Sequence, residues 1–595
     1  MSIIQSPAKR KPIVDASEVG GVRGEAHYSL AAQLAPSRAA DQTILDIKDL
    51  RIGFTSGPAG SDLRVKDVVN GISFSLRAGE TLGIVGESGS GKSVTVRSLL
   101  GLTASNQRQS TCGFSLFGDD VADYSEKQWA KIRGTRIGFV LQDALSSLDP
   151  LKTIGQEVAE ALRPAGRPGR LAKSPEVHAL LQAAGIPDPQ VRARQYSHEL
   201  SGGLRQRALI ASAVAQNPDL IIADEPTTAL DVTVQAQVLD LLRSKVAEGH
   251  GLILVSHDLA VVASVCDRIL VMKDGVIVEE GRSDQILSDP QEEYTKLLLA
   301  AVPSAASRGY RLATVERVPL AARSNELGHD QPVILEATGI SKTFVGRHGG
   351  VVKAVDDASI ALKKGQTLGI VGESGSGKST LARIVAGIIE PDSGTVNLQG
   401  ELWSPLPDRV RRSRRHEIQV VAQNPLATFD PRYTVERIIA EPIRQLTKAS
   451  REDAAKRVAE ALDLVQLASQ TKELMPWKLS GGQRQRVAIA RALATDPSIL
   501  VADEAVSALD VSIQAQILDL LADIQAEKDV AILFISHDLG VIHHISDSVI
   551  VMRHGQILET GSPEHVLVHP QHEYTRELIH SLPALPVPTH TKENS

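Results

Sequence analysis

The apolar residues of this chain come in short runs. "TLGIV" (81–85 and 367–371), "DLIIAD" (219–224), "SILVAD" (498–503) and "AILFIS" (531–536) are each long enough for one buried strand. Two "TLGIV" runs are followed by a glycine-rich turn and then by a helix-like stretch, as in "VTVRSLLGL". No run approaches the roughly 18–20 apolar residues of a bilayer span. The opening "MSIIQSPAKRKPIVDASEVGG" lacks the continuous apolar segment of a secretory leader. The expectation is a cytosolic chain; if it serves a membrane process, other chains do the crossing.

The pattern occurs twice. "TLGIVGESGSGKS" stands at 81–93 and, letter for letter, at 367–379. "LSGGLRQRALIASAVAQNPDLIIADEPTTALD" (200–231) answers "LSGGQRQRVAIARALATDPSILVADEAVSALD" (479–510). Lys378 follows Lys92 by 286 residues and Asp503 follows Asp224 by 279, so small indels separate two duplicated domains. That period is too long for a solenoid. The reading is a mobile arm (1–42), domain 1 (43–302), a linker (303–331), domain 2 (332–583) and a polar tail (584–595). As a flexible coil the linker would span roughly 30 Å.

Composition changes this picture little. The 595 residues allow roughly three to six packing units at ordinary domain sizes. Aromatic content is only 3%, so the cores must rest on Ala, Val, Ile and Leu. A formal net charge of −7, with both signs mixed, argues against a protein that coats nucleic acid. Cys112 and Cys266 are far apart and form no CxxC pattern, which argues against a zinc or iron–sulfur site.

Strand, glycine loop and helix are the context that a G-x-x-x-x-G-K-[ST] phosphate loop requires. Glycines let the backbone curl with its N–H groups inward, forming an anion cradle. The first copy is Gly86, Glu87, Ser88, Gly89, Ser90, Gly91, Lys92 and Ser93; the second is Gly372, Glu373, Ser374, Gly375, Ser376, Gly377, Lys378 and Ser379. The lysines can reach β- and γ-phosphates, and the final serines can ligate Mg²⁺. Two later strands deliver Asp224-Glu225 and Asp503-Glu504 to their C-terminal ends, where open α/β sheets bind ligands. The first acid of each pair would hold Mg²⁺ through water. The second, Glu225 or Glu504, would polarise an attacking water.

"LSGGQRQR", between phosphate loop and acidic strand, is the signature of ABC ATPases, and both halves resemble their nucleotide-binding domains over almost their whole length. The order matches in each: phosphate loop, a Gln after a strand (Gln142, Gln423), signature, acidic strand, "ALD" loop, then a His. The resemblance implies an α/β fold of two tandem domains. Each would have a RecA-like, mostly parallel sheet, an antiparallel β subdomain and a helical signature subdomain. It implies that the domains close head to tail over two ATP molecules. One site would join 86–93 to Ser480, Gly481 and Gly482; the other would join 372–379 to Ser201, Gly202 and Gly203. The serine and glycines open a helix, so free N–H groups and the helix dipole face an anion. The resemblance also implies Asp231 and Asp510 at the ATP sites, Gln142 and Gln423 at the metal, and His257 and His537 as switch histidines. Phe54 and Phe344 are either adenine platforms or core residues.

A finer resemblance lies in "GESGSGKS", the loops after Gln142 and Gln423, and the "EYTKLL"/"EYTREL" tails. These look like the peptide and nickel group of bacterial importers. Implied partners are two transmembrane permease subunits and an extracytoplasmic solute-binding protein, with no nucleic acid. The chain would sit peripherally on the cytoplasmic face of the inner membrane, touching it only through the permease. No iron–sulfur cluster is expected. The alternative is a soluble tandem ABC ATPase acting on ribosomes or nucleic acid; its relatives carry a longer, charged, helical linker. The two signatures differ, Leu204 standing where the second half has Gln483, and this difference predicts unequal ATP sites.

Overall fold

Each apolar run becomes a strand whose alternate residues feed different cores. The strands Leu220–Asp224 and Gly251–Val255 are buried along their whole length. Ile221, Ala223, Leu252 and Leu254 enter a core shared with helices. Leu220, Ile222, Ile253 and Val255 enter a second core, shared with a separate antiparallel sheet. A strand apolar at every position is what a sheet covered on both faces demands. The computed structural model describes residues 42–56, 64–142, 147–162, 171–228, 230–321, 331–345, 351–447, 449–507 and 509–581. The expected arm (all but residue 42), the expected tail, and residues 143–146 of the loop after Gln142 lie outside the described residues.

In the first half, Thr81–Val85, Gly251–Val255, Leu220–Asp224 and Ile137–Val140 run parallel in that order. Arg268–Lys273 joins the free side of Thr81–Val85 in parallel, and Val276–Arg282 closes that edge antiparallel. The second half repeats the order, with Ile418–Val421, Ile499–Asp503, Ala531–Ile535, Thr367–Val371, Ser548–Arg553 and Gln556–Gly561 side by side. Each half adds an antiparallel sheet on two long strands, Thr43–Ser56 with Arg64–Arg77 and Val333–Val345 with Val351–Lys363. Each also adds a helical unit that ends in the signature helix, Gly202–Ala213 or Gly481–Leu493. Within that unit Val435–Leu446 buries Val435, Ile438, Ile439 and Ile443, the spacing of one helix face. Two halves of α/β architecture, each with a mostly parallel sheet, are thus observed. Among the described residues no helix is long and apolar enough to cross a membrane.

The segment between the halves departs from the flexible coil expected of it. Residues 322–330 lie outside the described residues, but 303–321 fold onto the second half. The Asp519 carboxylate accepts the backbone N–H groups of Leu312 and Ala313, both at 3.0 Å. Arg311 pairs through both terminal nitrogens with Asp523 at 3.0 and 2.6 Å. Ser307 meets His544 at 3.0 Å, and Leu312 is fully buried. Backbone donors held by acids on a helix some 200 residues later leave no periodic trace in the local sequence.

Candidate active site

Both phosphate loops leave the C-terminal end of a fully buried strand. The turn out of the strand needs glycine: Gly86 has φ 148° and Gly372 φ 149°. A Cβ on Gly86 would lie 2.2 Å from the carbonyl oxygen of Met272; on Gly372 it would lie 2.1 Å from that of Met552. Inside each loop the lysine folds over it. Lys92 Nζ donates to Gly86 O at 2.6 Å and Glu87 O at 2.8 Å; Lys378 does the same to Gly372 and Glu373 at 2.7 and 2.8 Å. Burial pushes both ammonium groups below their ordinary range, and surrounding carboxylates oppose that shift. Ser90 Oγ is buried in the first loop without a hydrogen-bond partner.

The acids arrive from the neighbouring strands. Ser93 Oγ donates to Asp224 Oδ1 at 2.9 Å, and Ser379 Oγ to Asp503 Oδ1 at 2.8 Å. Asp224 is fully buried, its Oδ2 has no partner, and burial raises its carboxyl above the ordinary range. An orphaned carboxylate oxygen beside a serine hydroxyl is a donor set that fits a hard divalent cation. Glu225 and Glu504 follow with φ 48° and 51°, a left-handed kink costly for glutamate and of the kind found at functional sites. Gln142 Nε2 donates to Glu225 Oε2 at 2.9 Å and Gln423 Nε2 to Glu504 Oε2 at 2.8 Å. His257 Nδ1 lies 3.6 Å from Glu225 and His537 Nδ1 3.9 Å from Glu504. Burial would raise Glu225, but His257, Lys92 and Thr228 together outweigh it and hold the carboxyl below its usual range. At Glu504 the histidine is the largest influence, with the same downward result. Burial would lower the half-buried His257, but its partner Glu225 and nearby acids raise it.

The halves face each other across these loops. Asp231 caps the helix Val232–Ala247 by accepting from Val234 N at 2.9 Å, and its other oxygen accepts from Ser374 N at 3.4 Å. Thr233 Oγ1 donates to Glu373 at 3.2 Å. Asp510 lies near enough to Lys92 and His257 for its charge to raise both. A cavity of about 480 Å³ is lined by Asp231 together with Ser374, Lys378, Ser379, Gln423, Glu504, His537 and Phe344. Ser201, Gly202 and Gly203 do not line it; the hydrogen bonds to this phosphate loop from the other half come from Asp231 and Thr233. Phe344 is 43% exposed on the cavity wall, whereas Phe54 packs against the antiparallel-sheet core. Cys112 is exposed and Cys266 buried.

Two features escaped the sequence reading. Tyr294 Oη accepts the Glu87 N–H at 3.1 Å, and Tyr574 Oη accepts that of Glu373 at 3.2 Å. Burial pushes both phenols up to about 12, so they stay neutral. The "EYT" repeated in both tails was the available signal. The second concerns Leu204. Gln483 Oε1 accepts from Ser480 N at 3.0 Å while Ser480 Oγ accepts from Gln483 N at 3.3 Å, a reciprocal capping box. In the first half only the Ser201–Leu204 bond exists, at 3.4 Å. The glutamine therefore tightens the helix start. Leu204→Gln is expected to stabilise that turn by about 0.5–1 kcal/mol, read as slower amide exchange at Ser201–Leu204; unchanged exchange refutes it.

Fold and site together define a tandem phosphate-loop ATPase of the ATP-binding-cassette class. The family model described as "ABC transporter" matches residues 69–228 and 355–507, over half of the chain, which belongs to that family. A second model, "Oligopeptide/dipeptide transporter, C-terminal region", matches 278–326 and 558–594. The chain is similar to the glutathione import ATP-binding protein GsiA of Salmonella choleraesuis, 42% identical over 87% of this chain and 86% of the relative. It is similar to the oligopeptide transport ATP-binding protein OppD of Mycobacterium tuberculosis, 39% identical over 91% of this chain and 98% of the relative. An archaeal ribosome recycling factor, aABCE1, solved in complex with a ribosomal stalk protein, covers 83% of this chain and is itself covered to 88%. That likeness has a TM-score of 0.54 at 20% identity and shows the fold alone. The resemblance to the ATPase subunits of the peptide importer group thus rests on both halves and on both C-terminal regions.

Proposed function

We propose that the chain is the energy-coupling ATPase of an importer for peptides or peptide-like solutes such as glutathione, with two composite ATP sites between its halves. The observation that supports this reading is Asp231 of one half accepting the Ser374 N–H in the phosphate loop of the other, alongside a matching constellation in each half. The names of the relatives and the match to the oligopeptide transporter region support the class of cargo.

In this reading ATP binds with its phosphates in the loop. Lys92 and Lys378 exchange their carbonyl partners for phosphate oxygens. Ser93, Asp224 and Gln142 would hold Mg²⁺ at one site; Ser379, Asp503 and Gln423 would hold it at the other. The cation supplies charge neutralisation at the phosphates. Glu225 and Glu504 take the proton of an attacking water. Their lowered pKa keeps them ionised as acceptors, and His257 and His537 stand beside them. The N-termini of the signature helices are positive dipole ends, as are the phosphate loops, so they meet only across an anion. ATP is that anion, and its binding draws the halves together.

The partners proposed are two permease subunits and an extracytoplasmic binding protein, with the chain peripheral to the inner membrane at its cytoplasmic face. The test is fractionation. Co-expression with a permease pair of the peptide importer group should move the chain into the membrane fraction, and peptide uptake into those cells should depend on it. Equal recovery on bare lipid vesicles, or co-sedimentation with ribosomes instead, would overturn the assignment.

A further inference from the structure

Between the halves lies a second cavity, of about 430 Å³, which adjoins the ATP sites through His257 and His537 but has no residue of either phosphate loop in its wall. Its apolar surface comes from both sides: Val232 and Val302 from the first half, and Val506, Leu539, Leu567 and Ile579 from the second. His543 also lines it. This histidine is only 7% exposed, yet neither ring nitrogen has a hydrogen-bond partner. A buried imidazole left unpaired carries a real penalty, and partners for such groups come from a ligand or ordered water. Volume, an apolar portion of the lining and a few polar groups, one of them without a partner, are the marks of a small-molecule site.

The charges select the ligand. Asp258 and Asp538 stand in the wall beside His257 and His537, and no lysine or arginine lines it among the described residues, so an anion meets two carboxylates and no fixed cation. A cation gains little, because both carboxylates already cap helices: Asp258 accepts from Ala260 and Val261, and Asp538 from Gly540 and Val541. We infer that this seam cavity binds a neutral, compact, largely apolar molecule with one N–H or O–H group, of the size of an aryl amine or indole, held through His543. Burial, with the charge of nearby Arg308, keeps the ring below its ordinary pKa and hence an acceptor. An occupant touching both halves resists their closure and so slows ATP turnover.

The probe is N-phenyl-1-naphthylamine, neutral and with a single N–H, which fluoresces in apolar surroundings. Titration of the full chain should give saturable binding at one site. His543→Leu should weaken it about five- to tenfold, the worth of one hydrogen bond. Ile579→Trp and Val302→Trp, which fill the cavity from opposite walls, should abolish it, with melting and ATP binding verifying that each variant folds. Saturating probe should lower ATP turnover of the parent and leave Ile579→Trp unaffected. Non-saturable partitioning, or equal affinity in parent and folded variants, overturns the site; unchanged turnover of the saturated parent overturns the link to closure.

Discussion

A chain carrying both Glu225→Gln and Glu504→Gln is expected to bind ATP as the parent does and to hydrolyse it about 10²–10⁴-fold more slowly. That range is the usual worth of general-base assistance. The substitution is nearly isosteric, so it leaves the left-handed kink at each position and the volume of the side chain intact. It removes the one group that can accept a proton. The surroundings favour this role. Each carboxylate is held by a glutamine amide at 2.9 or 2.8 Å and paired with a histidine, and the charges of Lys92 and Lys378 act on them without a direct ion pair among the described residues. The sites are not identical, because Glu225 also accepts from Thr228 Oγ1 at 3.0 Å, whereas Ser507 Oγ donates to the backbone oxygen of Glu504. Glu225 is the better positioned, so Glu225→Gln alone should cost more turnover than Glu504→Gln alone. Phosphate release and equilibrium dialysis on the same samples decide it. Near-parental turnover in the double variant would reassign the base.

Much of this site could be read from the chain because its geometry is local. From "TLGIV" to Ser93 is one strand, one turn and the start of one helix, and the glycines are spelled within it, although the atoms that demand them, Met272 O at Gly86 and Val68 O at Gly91, lie elsewhere in the chain. Asp224 and Glu225 were equally legible, since an apolar run ending in acids places them at a strand's C-terminus. What stayed hidden depends on distant partners. Tyr294 holds Glu87 across 207 residues of chain. Asp519 fixes Leu312 across 207 residues and so turns a stretch without periodicity into ordered structure. The meaning of Leu204 was hidden for another reason. A glutamine beside a phosphate and a glutamine closing a helix cap are spelled identically, and only the Ser480–Gln483 geometry separates them. The first meeting point of the halves, Asp231 at Ser374, was legible as residues but not as a contact.

Gly86→Ala should remove one of two bound nucleotides while leaving the other. The parent is expected to bind two Mg-ATP per chain, one on each phosphate loop. At Gly86 the backbone has φ 148°, where an L side chain is strained by about 1–3 kcal/mol. The added methyl carbon would stand 2.2 Å from Met272 O and 2.9 Å from Ser90 Oγ. The serine can rotate, but the carbonyl cannot. Met272 is 1% exposed in a strand registered against both Thr81–Val85 and Val276–Arg282, so its retreat would break the sheet that carries the loop. Overpacking of this kind costs a further 1–3 kcal/mol. The loop, held by Lys92, the Tyr294 hydroxyl and the Gly275 N–H on Ser90 O rather than by a strand ladder, is what yields. The combined cost of about 2–6 kcal/mol corresponds to a loss of at least about thirtyfold in ATP affinity at that site. Gly372→Ala, with 2.1 Å to Met552 O, should empty the other site equally, and the double variant should bind none. Gly89→Ala is the control. Its φ is also positive, at 87°, but its Cβ would meet nothing within 4 Å, so only the conformational cost of about 1–2 kcal/mol remains. Equilibrium dialysis reads the stoichiometry, and circular dichroism verifies folding. Two nucleotides of parental affinity on Gly86→Ala would show that this loop does not hold the phosphates.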